Sequence, residues 1–436
     1  MIKQILFIAS LTLTVSFFAY TVLRLLSFFK LTKPYPIKNF GKRFSIMLQV
    51  AIGHTKIFRR PFIGLIHALV FWGFCIILLG SIEIVIDGIF NLEKSLSFLG
   101  AFYDFIFASG DIFAFIILIA IILFLGRRLI LNIKRFTGAE MNSKTHLDAF
   151  IALTFILLLM ITLLGMNSFY VALHAADYKG VYPVSNIIAQ AFTGLSSNSL
   201  NLGHESFWWA HILLIFVFAN MLPYSKHFHV FLSVPNVFLS RLEPLGKLPN
   251  NDVITKEIKL MMYPDANDAT SNQTNNVPER FGVKDVEDVT WKNYFDALSC
   301  TQCGRCTDVC PAALTGKKLS PRKIFMNLRS RMNEKGPWLV KDGKSFNDNK
   351  SLIKDYISTE ELWACTTCNA CAQECPININ HPTLIVEMRR YLVLEESVAP
   401  AGLNTIFTNI TNNGAPWQFS PEDRLLWAQE LFLNEK

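Results

Sequence analysis

Charge is scarce in this chain: Asp, Glu, Lys and Arg make up 17% of its 436 residues, against roughly a quarter in an average soluble protein. That shortage, with 51% hydrophobic and 13% aromatic residues and a mean hydropathy of +0.33, excludes an ordinary soluble enzyme, although length alone would suggest about three globular domains. Cysteine is missing from the first 299 residues except for Cys75, which reads most simply as a small buried apolar residue. No G-x-G-x-x-G, P-loop or H-E-x-x-H run occurs, so nothing points to nicotinamide, phosphate or zinc-hydrolase chemistry. What is present is unevenly placed. The apolar excess fills the first half, and eight of nine cysteines fall between Cys300 and Cys375 in a polar second half. Two physically different parts share one chain.

The net charge of +7 does not indicate nucleic acid. Its basic residues sit in short blocks beside apolar segments, as in the loops of membrane proteins. Five segments have the roughly 20 apolar residues that a bilayer span needs: Gln4 to Phe29, Phe62 to Ile86, Ile112 to Leu131, Leu147 to Asn167 and Phe207 to Tyr224. The first runs too long for a signal-peptide core and lacks a small-residue cleavage site. Lys30, Lys33, Lys38, Lys42, Arg43, Lys56, Arg59 and Arg60 follow the first span without an acid among them. The next loop carries Asp87, Glu93, Asp104 and Asp111 against Lys94, and the one after returns to Arg127, Arg128, Lys134, Arg135 and Lys144. This alternation predicts a multi-pass protein of the cytoplasmic (inner) membrane, in contact with lipid, with its N-terminus outside and the cysteine half in the cytoplasm.

Histidines inside spans are costly and face a partner, a cavity or a metal. His67 lies in the second span and His211 in the fifth, a placement suited to clamping one haem iron from opposite sides. A single such histidine would usually be structural. His54, before the second span, and His229, after the fifth with His227 nearby, form a second pair that permits a second b-type haem, unless they are simply solvated interfacial residues. His211 and His229 are eighteen residues apart, about five helical turns, which places them on one helix face. His54 and His67 are thirteen apart, and Pro61 between them is positioned to end or kink the helix.

With these residues the first 230 positions resemble the cytochrome b subunit of respiratory nitrate reductase, the gamma-subunit family. The resemblance implies five spans, an external N-terminus and two haems between the second and fifth helices, with fifth-helix ligands spaced like His211 and His229. The thirteen-residue step departs from the shorter family spacing and leaves His227 and His229 as alternatives for the second haem. A haem pair in a membrane needs a lipid-soluble redox partner, menaquinone or ubiquinone. Glu83, Asp87, His174 and His204, near the outer ends, are candidates to handle quinol protons, though each is more simply an interfacial residue.

Beyond residue 230 the pattern changes. Val230 to Leu242, punctuated by Pro235, reads as a helix lying along the membrane surface, and the polar run Pro264 to Pro278 as a linker or disordered loop. The expected divisions are 1–230 for the membrane part, 231–279 for the connection, 280–400 for the cysteine part and 401–436 for a tail.

CTQCGRCTDVCP places Cys300, Cys303, Cys306 and Cys310 before Pro311, and CTTCNACAQECP repeats the form with Cys365, Cys368, Cys371 and Cys375 before Pro376. In C-x2-C-x2-C-x3-C-P, three thiolates hold one cubane and the fourth reaches the other. Two [4Fe-4S] clusters are implied, one on Cys300, Cys303, Cys306 and Cys375, the other on Cys365, Cys368, Cys371 and Cys310. Zinc would leave the additional cysteines and prolines without a purpose, and disulfides require an oxidising compartment. Between the motifs, Ser320-Pro321 starts a helix with proline in its first turn, and Leu384 to Leu394 is a further amphipathic helix. The fold class is therefore mainly α, a five-helix transmembrane cytochrome b bundle joined to a helical dicluster ferredoxin.

Around the motifs stand Phe281-Gly282-Val283, Leu319-Ser320-Pro321, Leu362-Trp363-Ala364, Met388-Arg389-Arg390 and Leu392-Val393-Leu394. With them, Arg280 to Ser397 resembles the small iron-sulfur subunit family of heterodisulfide reductases and its membrane-fused relatives. Catalytic members of that family carry adjacent cysteines, and this chain has none, so the resemblance puts the substrate-reducing site on another chain. The expected role is respiratory electron transfer between quinone and a soluble partner, as a subunit of a heterodisulfide-reductase-like complex with a cysteine-rich catalytic chain. Alternatives are an electron-transfer-flavoprotein:menaquinone oxidoreductase subunit and a membrane redox sensor.

Overall fold

A computed structural model describes residues 1–131, 133–138, 140–174, 177–263 and 280–429. Among them there is no strand, and five helices are long and apolar enough to cross a membrane: Ile2–Phe29, Pro61–Phe90, Ala101–Ile130, Ser143–His174 and a fifth that runs Ser197–Met221 and ends in a tight turn at Tyr224. Neighbouring spans pack in chain order, and the first closes the ring against the second and the fifth. Gly88 permits one such contact, since a methyl group there would fall 2.5 Å from the Phe7 ring.

Two spans begin well before the apolar runs that announce them, the third at Ala101 and the fifth at Ser197. Asp104 and Asp111 therefore belong to the third helix and not to a loop. Asp104 sits in its first turn, where the helix dipole favours an acid. Asp111 is buried because it accepts the Val184 and Ser185 amides at 2.8 and 2.9 Å, capping the short helix Pro183–Ala189. Ser196 starts the fifth span by accepting the Ser199 amide.

The cysteine half is built on helices Trp291–Ser299, Pro321–Asp342 and His381–Leu394. Ser320 caps the second of these with Pro321 in its first turn. Tyr294, Phe325, Leu328, Met332, Ile385 and Leu392 form its core, and Phe28, Val50, Ala51 and Val237 from the other half enter the same cluster. The two halves thus share a core.

Helix His229–Phe238 carries much of that seam. It buries Asn236 and Val237 completely. The Asn236 amide donates to Ile377 O and Asp296 Oδ1, each at 3.0 Å, and its oxygen accepts from Lys292 at 3.1 Å. The buried polar network around Asn236 fixes one face of this helix against the cysteine half. Residues 264–279, which include the expected polar linker, lie outside the described residues.

Candidate functional site

The two cysteine loops repeat one backbone shape. Gln302 and Thr367, each two residues after the first cysteine of its motif, have φ of 55° and 54°, while Gly304 and Asn369, each four residues after it, have φ of 75° and 62°. Left-handed backbone is costly for Gln and Thr and easier for Gly and Asn, so both loops hold strain that bends them into a tight cup. A short helix follows in each, Arg305–Asp308 with Cys306 and Ala370–Glu374 with Cys371. Backbone amides point at sulfur: Thr367 N donates to Cys365 Sγ and Ile379 N to Cys375 Sγ, both at 3.4 Å.

The thiols gather across the motifs. Burial pushes Cys375 up to about 12, and the neighbouring charges it would meet belong to Cys303 and Cys300 of the other motif. Burial also raises Cys371, whose thiol neighbours are Cys365, Cys310 and Cys368. Cys306 lies close to Cys303, Cys300 and Cys375 and also to Cys371, so the two groups adjoin. Cys300 is held up to about 11 by burial. Crowded, buried thiols resist ionising unless a metal takes up the thiolate charge, and this donor set fits iron-sulfur clusters. Cys75, expected to be buried, is exposed on the second span; a ring one helix thick gives each span an outward face where a small apolar side chain sits without cost.

His54 and His67 lie on separate elements. Gly53 ends the turn Leu48–Ile52, and His54 follows in a loop at φ 54°, so no helix runs through Pro61 from His54 to His67. Their rings stand 5.4 Å apart, and His67 is within electrostatic range of His54, His229 and Arg305. His211 is instead bonded through Nδ1 to Thr162 of the fourth span at 3.0 Å. At 1.5 Å per residue, His67 stands about 9 Å in from Pro61 and His211 about 15 Å in from Met221. Nor do His211 and His229 share one helix, because the chain breaks at Leu222–Tyr224 and turns extended at Ser225. Pro223 supplies no amide to continue it.

Both ring nitrogens of His54 and Nδ1 of His67 are buried without a hydrogen-bond partner. His229 Nδ1 bonds Lys226 O at 3.1 Å, which fixes the ring and leaves Nε2 free. Burial keeps His54 and His229 below the usual histidine value, in the neutral form that binds iron. His54, His67 and His229 therefore fit axial haem ligation in kind. His227 Nδ1 is occupied by Ser225 Oγ at 3.1 Å.

At the opposite end of the bundle a cavity of about 280 Å³ is lined by Glu83, Asp87, His174 and His204 together, with Lys94 and Tyr170. The acids also serve structure. Glu83 accepts the Leu96 amide at 3.0 Å and the Tyr103 hydroxyl at 3.2 Å, and Asp87 accepts the Lys94 and Ser95 amides at 2.8 and 3.1 Å. Sequence reasoning passed over Lys94. Its ammonium stands 4.8 to 5.2 Å from the ring centres of Phe107, Tyr170 and Tyr182, and burial lowers it from the ordinary lysine value. The available signal was a lone cation in an acidic loop.

Residues 299–379 match the 4Fe-4S dicluster domain family. A probable iron-sulfur-binding oxidoreductase of Bacillus subtilis is 30% identical over 98% of this chain and 61% of its own length. An EtfAB:quinone oxidoreductase of Syntrophomonas wolfei is 27% identical over 88% of this chain and 54% of its own. One component of the dihydromethanophenazine:CoB-CoM heterodisulfide reductase of Methanosarcina acetivorans is 29% identical over 33% of this chain and 36% of its own. No solved structure matches. The chain thus spans between half and two thirds of the relatives that match it most fully. It is an iron-sulfur protein with a 4Fe-4S dicluster domain and five apolar helices, as membrane proteins have. Its homologues are iron-sulfur oxidoreductases and components of heterodisulfide reductases.

Proposed function

We propose that this chain is a membrane-bound conduit that carries electrons between the quinone pool and a cytoplasmic redox partner by way of b haems and two [4Fe-4S] clusters. The observation that carries the reading is the convergence of buried, unpartnered imidazoles at the end of the bundle where the thiol loops dock. The clusters and haems supply the one-electron chemistry, while the protein spaces and tunes them. Cys300, Cys303, Cys306 and Cys375 would hold one cluster and Cys310, Cys365, Cys368 and Cys371 the other. His67 and His229 would hold the haem nearest them, with His54 beside it, and His211 a second. In the far cavity, Glu83, Asp87, His174, His204 and Lys94 would bind the quinone head and exchange its protons. The basic loops favour the inner membrane with the thiol half cytoplasmic.

For the partner, an electron-transfer flavoprotein is the leading choice, because the relative named for EtfAB and quinone aligns across both halves. A heterodisulfide-reductase-like complex with a cysteine-rich chain is supported by the heterodisulfide reductase likeness over a third of the chain. Purification in mild detergent tests the whole reading. A reduced b-type α band and about eight iron atoms per chain are expected, with a flavoprotein or a cysteine-rich chain co-purifying. A protein without the band refutes the haems, and about four iron atoms refute one cysteine set.

A further inference from the structure

The membrane half touches the cysteine loops through one set of residues, and these contacts are one-sided. Lys56 Nζ donates to Cys375 O at 3.3 Å and to Ala372 O at 3.5 Å, and Arg59 donates to Gln373 O at 2.9 Å. In the first motif, Arg305 donates to Lys56 O at 3.1 Å, and Arg60 to Asp308 at 2.7 Å. Gly304 passes so near the loop after the third span that a methyl group on it would fall 2.5 Å from Arg135 O. Arg305 is also the residue of the motif that stands within range of His67. Cys303, Cys306 and Cys375 thus lie against the membrane half.

Two of the other thiols face elsewhere. Cys365 O is taken by Arg389 of the chain's own last core helix, and Cys368 is exposed. Thr366 beside it is exposed as well, and Cys310 leads into an exposed run from Leu314 to Lys318. Cys306 and Cys371 stand within electrostatic range of each other, so the two quartets adjoin.

We infer that the quartets are ordered: Cys300, Cys303, Cys306 and Cys375 form the membrane-facing site, and Cys310, Cys365, Cys368 and Cys371 form the partner-facing site, whose Thr366–Cys368 edge meets the soluble redox protein. This rests on the cluster ligation proposed above. Each step moves one electron, oxidising the site that gives it and reducing the site that takes it, and makes or breaks no bond. Protons enter or leave only where quinol is oxidised or quinone reduced, two protons for two electrons.

Relaxation of the electron paramagnetic resonance signals tests the order without turnover. The whole detergent-solubilised chain is reduced with dithionite, and microwave power saturation is measured with and without a water-soluble dysprosium chelate, which reaches only exposed paramagnets. Cys368→Ser and Cys303→Ser identify the signals by altering one each. The signal altered by Cys368→Ser is expected to relax several-fold faster with the chelate, and the one altered by Cys303→Ser to be unaffected. The reverse pattern, or equal enhancement of both, overturns the inference. Should a cysteine variant fail to assemble, Lys56→Met removes a cation beside Cys375 without touching a thiol. It is expected to lower the midpoint potential of the chelate-insensitive signal alone, and a shift of the chelate-sensitive one overturns the order. Iron near four atoms per chain would instead refute the ligation itself, and the order with it.

Discussion

Arg322 donates two hydrogen bonds to a single carboxylate oxygen of Glu140, at 2.9 and 2.6 Å, between side chains that are 1% and 8% exposed. It joins helix Pro321–Asp342 of the cysteine half to the loop after the third span, and further bonds to Arg135 O at 2.7 Å and from Ser320 to Glu140 at 2.7 Å complete the clasp. Removing one partner of a buried pair leaves the other uncompensated, typically at about 3–5 kcal/mol. Arg322→Met should therefore loosen the seam, seen as faster limited proteolysis and a lower unfolding temperature. If both stay at their wild-type values, the clasp does not hold the halves together.

The same pair sets a pH dependence. Burial opposes the charge on Glu140, but the bonds from Ser320 and Arg322 outweigh it and hold the carboxyl below its ordinary value of 4.5. A depressed native value means that the contribution is complete above about pH 4.5 and lost as pH falls through the lower, folded value. Unfolding temperature measured down into that range should drop for the wild type and stay flatter for Glu140→Gln. Parallel curves would remove Glu140 as the cause.

The histidine grouping separates two haem arrangements. With His67 beside His54 and in range of His229, and His211 bonded to Thr162, His67→Leu and His229→Leu should each delete the same haem. His211→Leu should delete a different one. Haem content and low-temperature α bands of the reduced variants distinguish them, with cluster signals unchanged throughout. Loss of one and the same band in His67→Leu and His211→Leu would restore the pairing that the sequence suggests.

Much of this was legible in the chain itself. Apolar runs located all five spans, because a membrane demands them at nearly fixed length, and the cysteine spacing announced the paired cups. Span ends were less visible: Asp111 looked like a loop residue because its partners, the Val184 and Ser185 amides, are over seventy residues away. The basic block at Lys56, Arg59 and Arg60 was legible as topology but not as docking, since its partners Cys375 O, Gln373 O and Asp308 lie far along the chain. His211 and His229 misled because helix periodicity carries no sign of the break at Pro223 unless the proline is weighed.

Gly304 faces two constraints at once. Its φ of 75° disfavours any side chain, and the Arg135 carbonyl leaves no room for one. Gly304→Ala should cost about 1–3 kcal/mol from backbone strain alone and push the first motif off the membrane half. Iron content is expected to fall in Gly304→Ala, whereas Gly316→Ala, also at positive φ but with open space around it, should bear only the strain. Equal iron loss in the two variants would show that strain, and not the close approach to Arg135, is what matters.

Lys94 is the residue through which the far cavity is most directly tested. Its side chain is enclosed by Phe107, Tyr170 and Tyr182, and its own amide is pinned by Asp87, so the ammonium is a fixed donor at the wall of a space shared with Glu83, His174 and His204. A hydrogen bond from a charged donor contributes about 1.5–3 kcal/mol, so losing it to a quinone carbonyl should weaken binding by roughly tenfold or more. Lys94→Met is expected to raise the KM for a water-soluble quinol by that factor. Both cluster signals should be unaltered, because the cavity lies at the other end of the bundle from the thiols. Lys94→Arg keeps the charge and should recover part of the loss. An unchanged KM in Lys94→Met, with haem and iron intact, would move the quinone site elsewhere on the bundle.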